Sequence, residues 1–299
     1  KYFSTNKNKS LLLKPIDDLN DEQYDQFILG RSFFTIPWVE APSATTARDG
    51  LGPLFNANTC ISCHPKNGRG TLLTKSDLAS RALVARLSIP SNNSDEHKML
   101  VKKAGFVPEP VYGAQISING VHDVPFEARP KIDFEEVKVT FPDGEVDTIL
   151  KPKYKLVDKN YGEFAKDTAI TYRVAPSLHG LGLLEQISNE DILANADEFD
   201  KNGDGISGKP NMVYSPLTKK EEIGKYTWKA STATVIEQIA GAAHNDMGLT
   251  TSLFQVENCT SSQKLCNEAP KARDLLDITD KRLSAIDYYI KNIKAYRPV

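Results

Sequence analysis

No stretch of this chain is apolar for long enough to cross a bilayer; the run Leu11-Leu12-Leu13 falls far short of a membrane span. The start, Lys1-Tyr2-Phe3-Ser4, lacks a basic segment followed by an apolar core, so any signal peptide is expected to have been removed already. Charge is nearly balanced as well. Thirty-seven basic and 39 acidic residues leave a net charge of −2, which gives no footing for nucleic acid or an anionic membrane surface. No internal repeat or low-complexity tract is visible. With 40% hydrophobic residues the chain has enough apolar material for a full core, as one large domain or two small ones. A soluble protein is expected.

Against this plain background one segment stands out: Cys60-Ile61-Ser62-Cys63-His64. Two thiols three positions apart lie on one face of a helical turn, where each can form a thioether to a haem vinyl group. The adjacent imidazole then serves as proximal ligand to the iron. A zinc site would need two further ligands at matching spacing, and no second Cys-x-x-Cys or His-x₃-His follows. A redox pair would have no need of His64. The expected cofactor is therefore one covalent haem c on Cys60, Cys63 and His64. Such haems are attached outside the bacterial cytoplasm, which sets the expected location as periplasmic or otherwise extracytoplasmic. Cys259 and Cys266, in a polar loop without histidine, are expected to form a disulfide there.

The remaining pattern reads as a mainly α, cytochrome c-like haem domain with a β-rich insertion, α+β overall. Residues 1–106 form an N-terminal arm and the haem-attachment region, with an extended start to about residue 20. A helix is expected from Asp21 to Phe34 with Tyr24, Phe27, Ile28 and Phe33 as its apolar positions. Residues 107–158 are the insertion: Val111–Ile118, Phe134–Phe141 and Val146–Leu150 alternate, and Pro142-Asp143-Gly144 signals a hairpin. Residues 159–299 return to helix. Ser188 starts one, Thr234 and Glu237 are spaced as a capping box, and Leu283, Ile286, Ile290 and Ile293 repeat at helical spacing.

Three further constellations carry chemistry. Asp200, Asn202, Asp204 and the carbonyl of Ile206 follow the first half of a calcium loop, but Asn211 stands where a bidentate Glu is needed. The alternative is an Asp/Asn/Gly turn that needs no ion. The iron's sixth position could fall to Met99, Met212 or Met247, or to His97, His122, His179 or His244; a Met ligand suits electron transfer, an open position peroxide chemistry. Finally, in the stretch from Trp228 to Gly248, Asn245 and Asp246 follow Gln238 by about two helical turns. An acid and an amide there either handle protons during O–O cleavage or merely satisfy the helix end.

Several segments in order resemble one family: Asp49-Gly-Leu-Gly-Pro-Leu-Phe-Asn56, Gly68-Arg69-Gly70, Tyr112-Gly113-Ala114-Gln115, Arg173-Val174-Ala175-Pro176, Gly180 to Glu185, Asp200 to Asn211, and Trp228 to Gly248. Together they resemble the bacterial di-haem oxidoreductases, labelled peroxidases or thiol oxidoreductases, which are similar in turn to di-haem cytochrome c peroxidases and methylamine-utilisation di-haem enzymes. The resemblance implies Gln238 and Asp246 as the distal pair, although they lie two residues closer than in the peroxidases and Asp replaces Glu. It implies Arg173 at a haem propionate and places Arg69 beside the cofactor. It implies a second Cys-x-x-Cys-His in a following domain, so the chain reads as the N-terminal haem portion of a di-haem protein, or as one whose second haem is lost.

The expectation is thus a peroxidase-type oxidoreductase, with Asp246 and Gln238 catalytic and Cys60, Cys63, His64, Arg69, Arg173 and Met247 at the cofactor. Its partners would be an electron-donor protein or quinol-linked cytochrome and a small oxidant such as peroxide. The rival is a non-enzymatic electron-transfer cytochrome with a Met or His sixth ligand. A third reading, drawn from the β-rich insertion, is a docking module in which haem is structural.

Overall fold

A computed structural model describes residues 3–4, 13–71 and 81–296. Half of the extended arm expected over residues 1–20, Leu11 and Leu12 included, lies outside the described residues. The mainly α expectation fails: helix makes up 27% and strand 24%. Strand is not confined to one insertion either, since the described residues contain six separate two-stranded sheets. Most of these strands are two or three residues long, too short to leave a period in the sequence.

The core is built by three helices, Asp21–Thr35, Val235–Met247 and Asp280–Lys291. The first and last cross at Gly30, where a Cβ would fall 1.9 Å from the Ala285 carbonyl oxygen. That approach turns Phe27 and Phe34 onto Tyr289, with ring centroids 4.8 and 5.3 Å away. It also corrects the expected apolar face, because Tyr24 and Ile28 lie exposed while Phe34 is buried. Leu283, Ile286, Ile290 and Ile293 are buried as their spacing predicts. The Thr234–Glu237 capping box and the Ser188 cap both form.

Two strand pairs frame the rest. Leu83–Ser88 pairs antiparallel with Ala169–Val174, its Leu83, Ala85 and Leu87 turned inward. Arg129–Thr140 and Val146–Val157 form a long antiparallel hairpin closed at Pro142-Asp143-Gly144, where Gly144 takes φ +87°. The strand expected over Val111–Ile118 does not form. Its backbone touches the Leu83–Ser88 strand only through bonds such as Leu87 N–H to Ala114 O and Ile116 N–H to Ala85 O. Cys259 and Cys266 are joined in a disulfide.

Candidate functional site

The haem motif folds as a single helical turn, Cys60–Cys63. Thr59 caps it, its Oγ1 accepting from the Ser62 N–H at 3.2 Å, and the His64 N–H closes the turn onto the Cys60 carbonyl. Neither thiol is in a disulfide, and Cys63 Sγ donates to the Arg81 carbonyl at 2.9 Å. Burial, and then the nearby Asp246 carboxylate, push the Cys60 thiol up to about 12; the same two causes raise Cys63.

The imidazole of His64 is oriented from far along the chain. Its Nδ1 lies 2.7 Å from the carbonyl oxygen of Pro176. A carbonyl can only accept, so Nδ1 carries the proton there, and the Gly68 backbone is also hydrogen-bonded to the ring. Burial holds the ring below the ordinary histidine range, hence neutral. This is the arrangement by which metal-binding histidines are held and made more basic. Gly70 completes the cradle: its N–H meets Ala175 O at 2.9 Å, and a Cβ would strike Ala82 and the Cys63 carbonyl. The residues present fit a covalent haem.

Main-chain bonds tie the end of the Asp246 helix to the segment before this turn. The Asn56 and Ala57 N–H groups donate to its carbonyl at 2.8 and 3.2 Å, and the Gly52 N–H to that of Met247. Gly52 and Gly248 touch, with a Cβ on Gly52 only 2.3 Å from Gly248 O, which allows the segment before the motif to lie on the helix end. The Asp246 side chain accepts from Gln115 Nε2 at 2.5 Å. Arg86 Nη1 in turn donates to Gln115 Oε1 at 3.2 Å. Burial raises the Asp246 carboxyl, while the Gln115 hydrogen bond and the Arg86 charge oppose that rise. His244, stacked on Phe254 at 5.1 Å, is pushed down to about 4 by burial and then Arg86.

The expected residues are thus brought together unevenly. Cys60, Cys63, His64 and Asp246 converge. Arg173 pairs with Val84 across the strands, close enough to Arg86 to repel it. Gln238 sits on the same helix as Asp246, but it is Gln115 that holds the carboxylate. Met247 is 3% exposed, within the helical core. Arg69 is exposed on the turn after the motif.

In the 200–211 loop Asp200 accepts from the Gly205 N–H, Asn202 from Asp204, and Asp204 from Ile206. Asn211 donates to the Lys229 and Ala230 carbonyls. No ion is needed to explain this turn, and no group of three His, Cys, Asp or Glu among the described residues is arranged to hold a metal. Residues missed by sequence reasoning are Arg86 and the roles of Gln115 and Pro176. The alternation in Leu83-Val84-Ala85-Arg86-Leu87 was a usable strand signal, with a cation on the outward phase.

A family model described as "Di-haem oxidoreductase, putative peroxidase" matches residues 2–269. No curated protein and no solved structure matches the chain. The family's name specifies two haems, where the single Cys-x-x-Cys-His led to an expectation of one. No helix of the described residues is long and apolar enough to cross a membrane.

Proposed function

We propose that this chain, which belongs to the di-haem oxidoreductase family, carries the peroxide-reducing haem site of a periplasmic oxidoreductase. The observation that carries the reading is the half-buried Asp246 carboxyl, gripped by Gln115 on a helix end whose carbonyl is bonded to the Asn56–Ala57 segment just before the haem-attachment turn. Haem c, which Cys60, Cys63 and His64 would hold, would supply the redox chemistry for peroxide reduction. The chain's own residues do the rest. Pro176 keeps the His64 proton on Nδ1, so that Nε2 would be the nitrogen offered to the iron. Asp246 would take a proton from one peroxide oxygen and return it to the other, while two electrons from the donor and two further protons from solvent complete the reduction to two waters. Arg173 offsets the charge of a propionate, and electrons arrive from a small donor protein or quinol-linked cytochrome.

The test is an optical and kinetic one on the full-length holoprotein. The ferric haem is expected to be high-spin and five-coordinate, to change on adding peroxide, and to turn peroxide over with a reduced donor. Asp246→Ala should lower kcat/KM by roughly 10²–10⁴-fold, the span of general acid–base catalysis. A low-spin haem indifferent to peroxide would overturn the proposal and revive the electron-transfer cytochrome.

A further inference from the structure

We infer that Gln115 is the positioning residue of this site, fixing the Asp246 carboxylate against the haem-attachment turn while Arg86 fixes Gln115. The inference rests on the function proposed above. Gln115 is 8% exposed, and its amide joins three parts of the chain. Nε2 donates to both Asp246 Oδ1 at 2.5 Å and Asn245 O at 3.2 Å, while Oε1 accepts from Arg86 at 3.2 Å. The orientation of the amide is determined by these partners. Turned over, its oxygen would face two acceptors and its NH₂ a guanidinium.

The backbone is held as firmly as the side chain. Gln115 forms an isolated bridge with Arg86, and its neighbours Ala114 and Ile116 are bonded to Leu87 and Ala85. Arg86 is steadied by Phe106, its guanidinium carbon 5.6 Å from the ring centroid. Asp246 reaches its place by main-chain bonds, but those bonds leave χ1 and χ2 free; the Gln115 amide removes that freedom. A general acid displaced by about 1 Å can lose roughly 100-fold in rate, which is the scale at stake here.

Gln115→Met keeps the volume and removes both donors. On the full-length holoprotein, kcat for peroxide should fall roughly 100-fold with KM little changed, at unaltered haem content. A second readout needs no turnover. The infrared stretch of carbon monoxide on the reduced haem reports the polar groups around the bound molecule, and Gln115→Met should move it in the same direction as Asp246→Ala. If Gln115→Met fails to fold, Arg86→Lys, which keeps a donor to Oε1, should retain more of the wild-type band and rate than Arg86→Met, which should follow Asp246→Ala; equal effects of the two variants would overturn the inference. A wild-type band and rate in Gln115→Met, beside a shifted band in Asp246→Ala, overturns the inference and leaves the proposed function standing. An Asp246→Ala protein unchanged in both band and rate overturns the proposed function, and this inference with it.

Discussion

Around the haem-attachment turn, polar groups are held from far away in the chain. His64 is held by Pro176, Asp246 by Gln115 and Asn67 by Tyr289, at separations of 112, 131 and 222 residues. In the loop from Asp197 to Ile206 the opposite holds. Asp197, Asp200, Asn202 and Asp204 accept from backbone N–H groups no more than five residues on, and the loop lies exposed. Both segments carry ligand-like residues at ligand-like spacing. The difference lies in what their atoms are already doing. A distant partner can occupy one atom of a side chain and leave another free, as Pro176 does with His64. A loop that satisfies itself already has its carboxylates engaged with its own backbone.

The sharpest way to break this comparison is to exchange the losses. Cys60→Ala with Cys63→Ala should abolish covalent haem outright, read as loss of haem-associated peroxidase staining on a denaturing gel. Asp200→Asn with Asp204→Asn should leave haem attachment as in wild type. Haem loss in the loop variant would mean that the two regions are coupled through the fold, and the contrast would dissolve.

A smaller effect should appear in how stability depends on pH. Glu127 belongs to the long-range set: it is 2% exposed, accepts from the Ser117 N–H and is bonded by Gln263. Burial pushes its carboxyl from an ordinary 4.5 up to about 8, against the pull of those two hydrogen bonds. Within that window the folded state keeps a proton that the unfolded chain has released. Stability should therefore fall as pH rises from about 4.5 toward 8, by on the order of 1 kcal/mol per pH unit. Glu127→Gln carries no titrating group and should flatten that decline in denaturant titrations run across the window. An unchanged slope would remove Glu127 from the set of groups that the fold holds under strain.

What could be read from the sequence divides along the same line. The haem motif, the Thr234–Glu237 box, the Pro142-Asp143-Gly144 turn and the Cys259–Cys266 bridge are decided within a few residues, and each was legible. The Gln115–Asp246 and His64–Pro176 contacts depend on which distant segments meet, for which spacing offers no signal. The mainly α expectation failed for a related reason. Pairs such as Leu54–Phe55 with Asn119–Gly120 are strands only because each finds the other. The resemblance to the di-haem peroxidases pointed to Gln238 beside Asp246 and gave no role to Gln115, whose amide reaches the carboxylate from beside a strand across the site.

The smallest expected effect is on the 197–211 loop itself, and it is the one that could reverse the comparison. Asp204→Asn keeps an oxygen able to accept from the Ile206 N–H, so the turn should survive at a cost below about 1 kcal/mol. If the loop's acceptors are fully used by its own backbone, millimolar calcium should not raise Tm in either protein. A calcium-dependent rise in wild type, absent from Asp204→Asn, would show that the Asx bonds open to release their carboxylates for an ion. The loop would then resemble the haem turn after all, as a segment whose side chains are held ready for a ligand, with its own backbone standing in until the ligand arrives.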